Sequence, residues 1–114
     1  MKPNIIVDKS FDFALAIVEF TEELENCKKY VIAKQLLKSG TSIGANIRES
    51  QSAESRADFI HKLKIAAKEA EETEYWLLLC KHSKSYPNSD SLFVLLNEIQ
   101  KLLSSIISST KNNK

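Results

Sequence analysis

The sequence predicts an all-α protein, an antiparallel up-down-up-down four-helix bundle that forms one domain over residues 1–114. The chain has two glycines and two prolines among its 114 residues, too few for the turns of a many-stranded fold. Apolar residues recur every three or four positions in four separate stretches, which is the period of an amphipathic helix. Helices joined by short connections lie antiparallel to their neighbours, so the default arrangement is a bundle.

The first helix is predicted from an apolar seam near the N-terminus, formed by Phe13, Ile17, Phe20, Leu24 and Cys27. Ala14, Val18 and Thr21 widen this stripe. Phe11 and Leu15 point away from it, and we interpret Phe11, like Ile60 on the third helix, as the edge of a wide core face. The segment NCKK at 26–29 then breaks the pattern by composition, without a glycine.

The second helix is predicted within residues 30–54, and it contains both glycines, in the stretch SGTSIGANIRES. One face keeps helical spacing straight through this stretch: Ile32, Leu36, Ser39, Ile43, Ile47 and Ser50. Gly40 and Gly44 therefore form a small-xxx-small pair on a helix, where missing side chains let another helix approach. A phosphate-binding loop would need Lys-Ser/Thr after its last glycine, and Ala45-Asn46 stands there instead.

The third helix is predicted from about 56 to 82, and it ends before the turn SKSYPNSD. Its seam is unbroken: Phe59, Leu63, Ala66, Ala70, Thr73, Leu77 and Cys80. Ser55 followed by Asp58 resembles a capping box, with Asp in place of the usual Glu. After Pro87, either Asn88 or Ser89 can cap the fourth helix, whose predicted seam is Leu92, Leu95, Ile99, Leu102 and Ile106.

Composition excludes several classes of function. The net charge is +1, with six acids against four bases in residues 1–29 and nine against twelve afterwards, so this is not a strongly basic nucleic-acid binder. No signal peptide or membrane span is expected. We expect a cytoplasmic protein in which Cys27 and Cys80 are reduced, buried thiols.

No residue pattern indicates catalysis, a metal or a cofactor. His61 and His82 are the only histidines; His61 points away from its seam, and neither lies in a Cys-x-x-Cys or His-x-x-x-His pattern. Neither histidine follows a Glu by three residues, as di-iron bundles require. No Gly-x-Ser-x-Gly is present. We therefore expect no catalytic residue, no metal, no cofactor and no enzymatic activity.

Two surface features exceed what a single bundle needs. Ile65, Trp76 and Leu79 remain after the core face of the third helix is filled, and we interpret them as a subunit interface rather than a wider core. On the second helix, Lys34, Lys38 and Arg48 share the outer face with no acid among them, and Lys64 and Lys68 lie beside His61 on the third. These bases could meet phosphates; the alternative is ordinary solvated surface.

Two segments carry a resemblance to a known family. QLLKSGTSIGANIRES at 35–50 contains Gln-Leu and then Ser-Ile-x-x-Asn-Ile-x-Glu, and DFIHKLKIAAKEAEETEYWL follows at 58–77. This pattern resembles the small four-helix-bundle proteins encoded in intervening sequences of bacterial large-subunit ribosomal RNA genes, which are often labelled ribosomal proteins. The match covers the central half of the chain densely.

The resemblance implies a ring-like homopentamer. A related protein, the accessory variability protein of diversity-generating retroelements, has a similar fold and works with a reverse transcriptase and nucleic acid through a basic surface. The resemblance also suggests that a polar set holds helix or subunit register: Ser42, Asn46, Glu49, Glu69 and Glu72. The leading hypothesis is a homo-oligomer, a pentamer, that binds RNA or a ribonucleoprotein weakly. The alternatives are a protein-interaction scaffold without nucleic acid and a small-ligand site in a pore or core.

Overall fold

The computed structural model describes residues 4–112, which form four α-helices. These are α1 (Ile5–Asn26), α2 (Tyr30–Ser50), α3 (Arg56–His82) and α4 (Asp90–Asn112). Each helix packs against the next, α4 closes the bundle on α1 through the least extensive pairing, and diagonal helices are not in contact. The result is a rod of about 50 × 23 × 22 Å. The all-α four-helix prediction is confirmed.

The core combines the predicted seams of α1, α2 and α3, apart from Cys27, with one face of α4. On α2 and α3 every predicted seam residue is buried except Ile32 and Phe59, which are half-buried at the two ends. Burial of a large apolar side chain stabilises a fold by about 1.5–3 kcal/mol. The core is built mainly from such side chains: Phe13, Ile17, Leu24, Leu36, Ile43, Ile47, Leu63, Leu77, Leu96, Ile99 and Leu103.

The predicted seam of α4 is wrong in phase. The residues of this helix that are buried are Leu92, Leu96, Ile99 and Leu103, whereas Leu95, Leu102 and Ile106 are half-buried on the flank. The sequence has adjacent leucines at 95–96 and 102–103, so two seams separated by about 100° fit the same spacing. Packing against α1 and α3 selects the second residue of each pair.

Two expectations of burial are also wrong. Cys27 is exposed, because α1 ends at Asn26 and the cysteine lies at the C-cap, beyond the last turn that faces the core. Phe11 is 55% exposed and does not extend the core face of α1. Ile60 is half-buried, as a core-edge residue should be, and Cys80 is buried as predicted.

The helix starts follow local hydrogen bonds. Ser55 caps α3 as predicted, since its Oγ accepts from the backbone N–H of Asp58 at 3.0 Å. At the start of α4 the side chain of Asn88 accepts from the N–H of Asp90 at 2.8 Å. Each accepted bond satisfies an N–H that has no partner inside the helix, which stabilises a helix by about 1 kcal/mol.

The end of α1 is a tight turn without glycine. The N–H of Lys29 donates to the carbonyl of Leu24 at 2.8 Å, and that of Lys28 to Glu25 at 2.9 Å. This pair of bonds is the Schellman motif, which places its C′ residue in the left-handed region. Lys28 occupies that position with φ 64°.

Lys28→Gly is expected to raise the free energy of unfolding by about 0.5–1 kcal/mol, because a side chain in the left-handed region costs about 1–2 kcal/mol and glycine loses part of that gain as backbone entropy. Thermal or urea denaturation measures it. Lys84→Gly is the control and should not stabilise, because Lys84, unlike the adjacent Ser85, does not have a positive φ. An unchanged midpoint for Lys28→Gly would contradict the strain assigned to this turn.

One helix meets the length and composition of a membrane span. Asp90–Asn112 has a window with mean hydropathy 1.2, of which 22% is buried within the chain. Core helices of soluble proteins pass the same test, and α4 buries a regular leucine and isoleucine face against its neighbours. The expectation of no membrane segment stays a prediction.

Candidate nucleic-acid and subunit interfaces

The two glycines set the distance between α1 and α2. A Cβ built on Gly44 would lie 3.2 Å from the backbone oxygen of Ser10, and one on Gly40 would lie 2.9 Å from Cγ1 and Cγ2 of Ile17. A Cβ at Gly40 would overlap the side chain of Ile17, and one at Gly44 would require the backbone at Ser10 to shift by a few tenths of an ångström. Both φ values are negative, so the glycines serve packing, as predicted, and not a turn.

The outer face of α2 carries the predicted bases. We call Lys34, Lys38 and Arg48 the basic strip; all three side chains are exposed. Within residues 4–112 none of them forms an ion pair within 4.0 Å. Lys34 and Lys38 are one turn apart, and Arg48 lies about 15 Å farther along the helix at 1.5 Å per residue. The strip therefore presents positive charge to solvent without a direct ion pair, although the charge of Lys38 also acts on Glu69 of α3.

The predicted bases of α3 lie on another side of the bundle. Lys64 and Lys68 are exposed, and the ammonium of Lys111 on α4 lowers the pKa of Lys64 through a contact between two like charges. This places Lys64 on the flank of α3 that faces α4, away from α2. The five predicted bases therefore do not form one surface.

The predicted register residues divide into local and cross-helix groups. Ser42 donates to the carbonyl of Lys38 at 2.7 Å, and Asn46 to that of Ser42 at 2.9 Å, so both bond within α2. Glu49 accepts from Lys62 of α3 at 3.0 Å, the one cross-helix ion pair that joins α2 and α3 in the described residues. Only Glu49 of these three links helices.

The remaining register candidates, Glu69 and Glu72, lie on α3. Glu72 accepts from Nε1 of Trp76 at 3.2 Å, one turn along the same helix. Burial, and then the nearby charge of Glu72, raise the pKa of Glu69, while Lys38 on α2 opposes this. Lys38 of α2 is therefore close enough for its charge to act on Glu69 of α3, whereas the hydrogen bond of Glu72 stays within α3.

A buried polar pair across α2 and α3 was missed in the sequence, where both residues count as seam positions. Thr73 Oγ1 donates to Ser39 Oγ at 2.9 Å, and the same hydroxyl lies 2.7 Å from the carbonyl of Glu69. Thr73 is 0% and Ser39 1% exposed. No other hydrogen bond between two side chains in the described residues joins two fully buried residues, so this pair fixes the register of α2 against α3.

The predicted subunit interface occupies the outer face of α3. We call Ile65, Trp76 and Leu79 the α3 strip. Ile65 and Trp76 are half-buried, and Leu79 is 39% exposed. Trp76 packs edge-on against the exposed Tyr75 at 5.3 Å between ring centroids. Ile65 lies eleven residues before Trp76, about 16 Å away along the helix, so the strip runs lengthwise.

A second apolar strip lies on α1, and sequence reasoning underestimated it. Phe11, Leu15 and Val18 are 55%, 51% and 40% exposed; we call them the α1 strip. Beside it, a groove of about 230 Å³ runs between α1 and α2, lined by Val7, Ser10, Phe11, Ala14, Thr41, Gly44, Ala45 and Arg48. The spacing 11, 15, 18 is a helical stripe that the sequence shows, opposite the seam that fills the core.

The titratable side chains give little support to a catalytic or metal-binding role. Burial raises the pKa of the Cys80 thiol to about 11, so it is protonated at neutral pH, whereas a nucleophile must be a thiolate. Within residues 4–112 no group of three His, Cys, Asp or Glu side chains converges as a metal site.

Comparisons with known proteins gave a family match and a match to a solved structure. A model of the 23S rRNA-intervening sequence protein family matches residues 2–105. A crystal structure of a protein of unknown function from the S23 ribosomal protein family of Bacteroides thetaiotaomicron is 52% identical. The similarity covers 90% of this chain and 97% of that one, with a TM-score of 0.85. No curated protein matches.

Proposed function

Because this chain belongs to the 23S rRNA-intervening sequence protein family, we propose that it is a non-enzymatic protein that self-associates, as a ring of five copies, and binds RNA or a ribonucleoprotein weakly. The family has no assigned activity that could be transferred to the chain. The proposal therefore depends on the surfaces of the bundle, and the basic strip of α2 is the observation that carries it.

The basic strip favours a phosphate partner because its charges are exposed and unpaired within the described chain. A base that already holds a carboxylate gains little from a phosphate, whereas a free base gains the release of counterions from the nucleic acid. Three bases on a chain of net charge +1 favour weak binding. Repetition of the strip in an assembly multiplies the number of contacts and raises the overall affinity.

Self-association is supported by the two apolar strips. Six large apolar side chains on α1 and α3 lie outside the core seams of this bundle. Contiguous exposed apolar surface of this kind marks contact sites in soluble proteins. A scaffold that binds another protein without nucleic acid has the same requirement for apolar surface, so the basic strip is the feature that separates the two functions.

Changing the basic strip is expected to weaken RNA binding without unfolding the bundle. With Lys34→Gln, Lys38→Gln and Arg48→Gln together, the log–log salt slope should flatten by about two to three per engaged chain, since each phosphate contact contributes about 0.7 on single strands and 0.9 on duplex. Filter binding to ribosomal RNA fragments across a salt series starting at low salt measures this. The loss should be independent of RNA sequence.

The matched control replaces three exposed lysines elsewhere, with Lys28→Gln, Lys84→Gln and Lys101→Gln, which change the net charge equally. Its slope should flatten far less. If the wild-type chain binds no RNA at low salt, or if both triple variants lose affinity equally, the basic strip is solvated surface and the scaffold function leads. Thermal melting should be nearly the same for all three proteins, because these side chains are exposed.

A further inference from the structure

We propose that the α1 strip of one copy packs against the α3 strip of a second copy of this chain, with parallel helices and no axial shift. In this contact Asp8 and Asp12 of the first copy face Lys64 and Lys68 of the second. The inference rests on the self-association proposed above and assigns its surfaces. It also removes the two lysines of α3 from the nucleic-acid surface.

The apolar strips are matched in chemistry and in orientation. The α1 strip lies on the side of α1 next to α2, and the α3 strip lies on the side of α3 next to α2. The α1 strip adjoins a groove shared with α2. The α3 strip lies on the flank of α3 next to α2, because Trp76 and Ile65 each follow by three residues a side chain that bonds α2, Thr73 and Lys62 respectively. An aromatic and two aliphatic side chains on each strip can bury one another.

The heights of the strips along the rod follow from contacts inside the bundle. Ile17 touches Gly40, and Ser39, the residue before Gly40, bonds Thr73, so position 17 of α1 is level with position 73 of α3. The difference is 56 in residue number. The contact between Ser10 and Gly44 and the ion pair between Glu49 and Lys62 agree with this register.

The same register aligns the apolar residues of two parallel copies. Residue 67 of α3 is level with Phe11, and residue 74 is level with Val18. Ile65 and Trp76 are each two residues from these levels, about 3 Å along the axis. Side chains of this size reach across such a distance, so Phe11 meets Ile65 and Val18 meets Trp76.

In the same register the acids beside the α1 strip lie at the same height as the lysines beside the α3 strip. A difference of 56 places Asp8 level with Lys64, and Asp12 level with Lys68. All four side chains are exposed. Asp12 follows Lys9, which bonds Glu98 of α4, so the acids lie on the flank of α1 away from α2. Lys64 lies on the corresponding flank of α3, next to Lys111 of α4. Two acids one turn apart therefore meet two bases one turn apart.

Because the strips occupy different faces, this contact is head-to-tail. Every copy that uses its α1 strip leaves its α3 strip open to the next, and such contacts continue until the rotation closes a ring. The two strips flank α2 on different sides, so each added copy is rotated relative to the one before it. This rotation favours a closed ring over a straight filament.

Charge reversal tests the pairing. Asp8→Lys with Asp12→Lys places like charges opposite each other, as does Lys64→Asp with Lys68→Asp. Each variant alone is expected to lose the wild-type mass and sediment as a single chain at micromolar concentration. A chain that carries all four reversals, Asp8→Lys, Asp12→Lys, Lys64→Asp and Lys68→Asp, should recover the assembly, because every contact in it pairs opposite charges whatever the number of copies. Sedimentation velocity gives the masses, and circular dichroism shows that each variant is folded.

The apolar contact is tested by Phe11→Ser with Leu15→Ser and by Trp76→Ala with Leu79→Ser; each pair should reduce the mass. The charge reversals have their own control, Glu23→Lys with Glu71→Lys. It changes the net charge by as much as Asp8→Lys with Asp12→Lys does, at exposed residues outside both strips, and should keep the wild-type mass. A wild-type chain that is monomeric would reject self-association itself.

Other outcomes reject this pairing alone. If the wild type assembles but the Asp8 and Asp12 reversal keeps its mass, or if the chain with all four reversals fails to recover the assembly, the copies join through other faces. If reversal of Lys64 and Lys68 leaves the mass unchanged and flattens the salt slope of RNA binding, these lysines belong to the nucleic-acid surface, which also overturns the pairing.

Discussion

Gly40→Leu is expected to lower the free energy of unfolding by about 3 kcal/mol, the upper part of the usual range for overpacking a well-filled core. Even a Cβ at this position lies 2.9 Å from two carbons of Ile17, which is 0% exposed. That side chain is β-branched and enclosed, so it cannot rotate away, and α1 and α2 must separate. Urea denaturation measures the loss.

Alanine substitution at each glycine compares a contact with a side chain, Ile17 opposite Gly40, with a contact with the backbone of Ser10 opposite Gly44. Alanine gains about 1 kcal/mol of helix propensity over glycine. At Gly44 the opposing atom is the carbonyl oxygen of Ser10 at 3.2 Å, and a shift of a few tenths of an ångström relieves it, so Gly44→Ala should be milder than Gly40→Ala. Ala45→Leu, which adds bulk at an exposed site of the same helix, is the control. If Gly40→Leu melts like wild type, the close approach of α1 and α2 is wrong.

Thr73→Val is expected to lower the free energy of unfolding by about 1–3 kcal/mol, although it hardly changes volume. It leaves the buried Ser39 Oγ without the hydroxyl that now donates to it at 2.9 Å. A buried polar group without a partner costs its full desolvation penalty, whereas removal of both partners by apolar groups can be nearly neutral.

The double variant provides the decisive comparison. Thr73→Val combined with Ser39→Ala should be less destabilised than the sum of the single changes, since no orphaned hydroxyl remains. Thr110→Val, at a half-buried threonine near the end of α4 that bonds only within its own helix, is the control for hydroxyl removal. Additive losses in the cycle would show that the two hydroxyls do not act as a pair.

The fold follows from sequence where one apolar phase continues along the whole helix. On α2 and α3 a single seam runs through six or seven positions despite adjacent apolar residues such as Leu36 and Leu37, and these seams are confirmed. On α4 adjacent leucines leave two phases, and only contact with α1 and α3 decides between them. Periodicity therefore predicts a helix more securely than it predicts the buried face of that helix.

The candidate surfaces show a similar limit. The basic strip is a property of one helix, and its exposure could be predicted from spacing alone. The exposure of Phe11 depends on how far α2 reaches around α1, and the partners of Ser42 and Asn46 depend on whether a polar side chain finds a backbone carbonyl first. The match between Asp8 and Lys64 requires the heights of helices that do not touch each other.

The modest pairing of α4 with α1 has a consequence for motion within the folded state. α1, α2 and α3 form two extensive neighbouring pairings, whereas α4 closes the square through the smallest one. Opening of a protein proceeds by cooperative units, and the unit that holds the least buried surface opens at the lowest free energy. Because α4 pairs with α3 less extensively than α2 pairs with either neighbour, and least with α1, we expect α4 to open at a lower free energy than the other three helices. Native-state hydrogen exchange would show this as lower protection of the amides of α4.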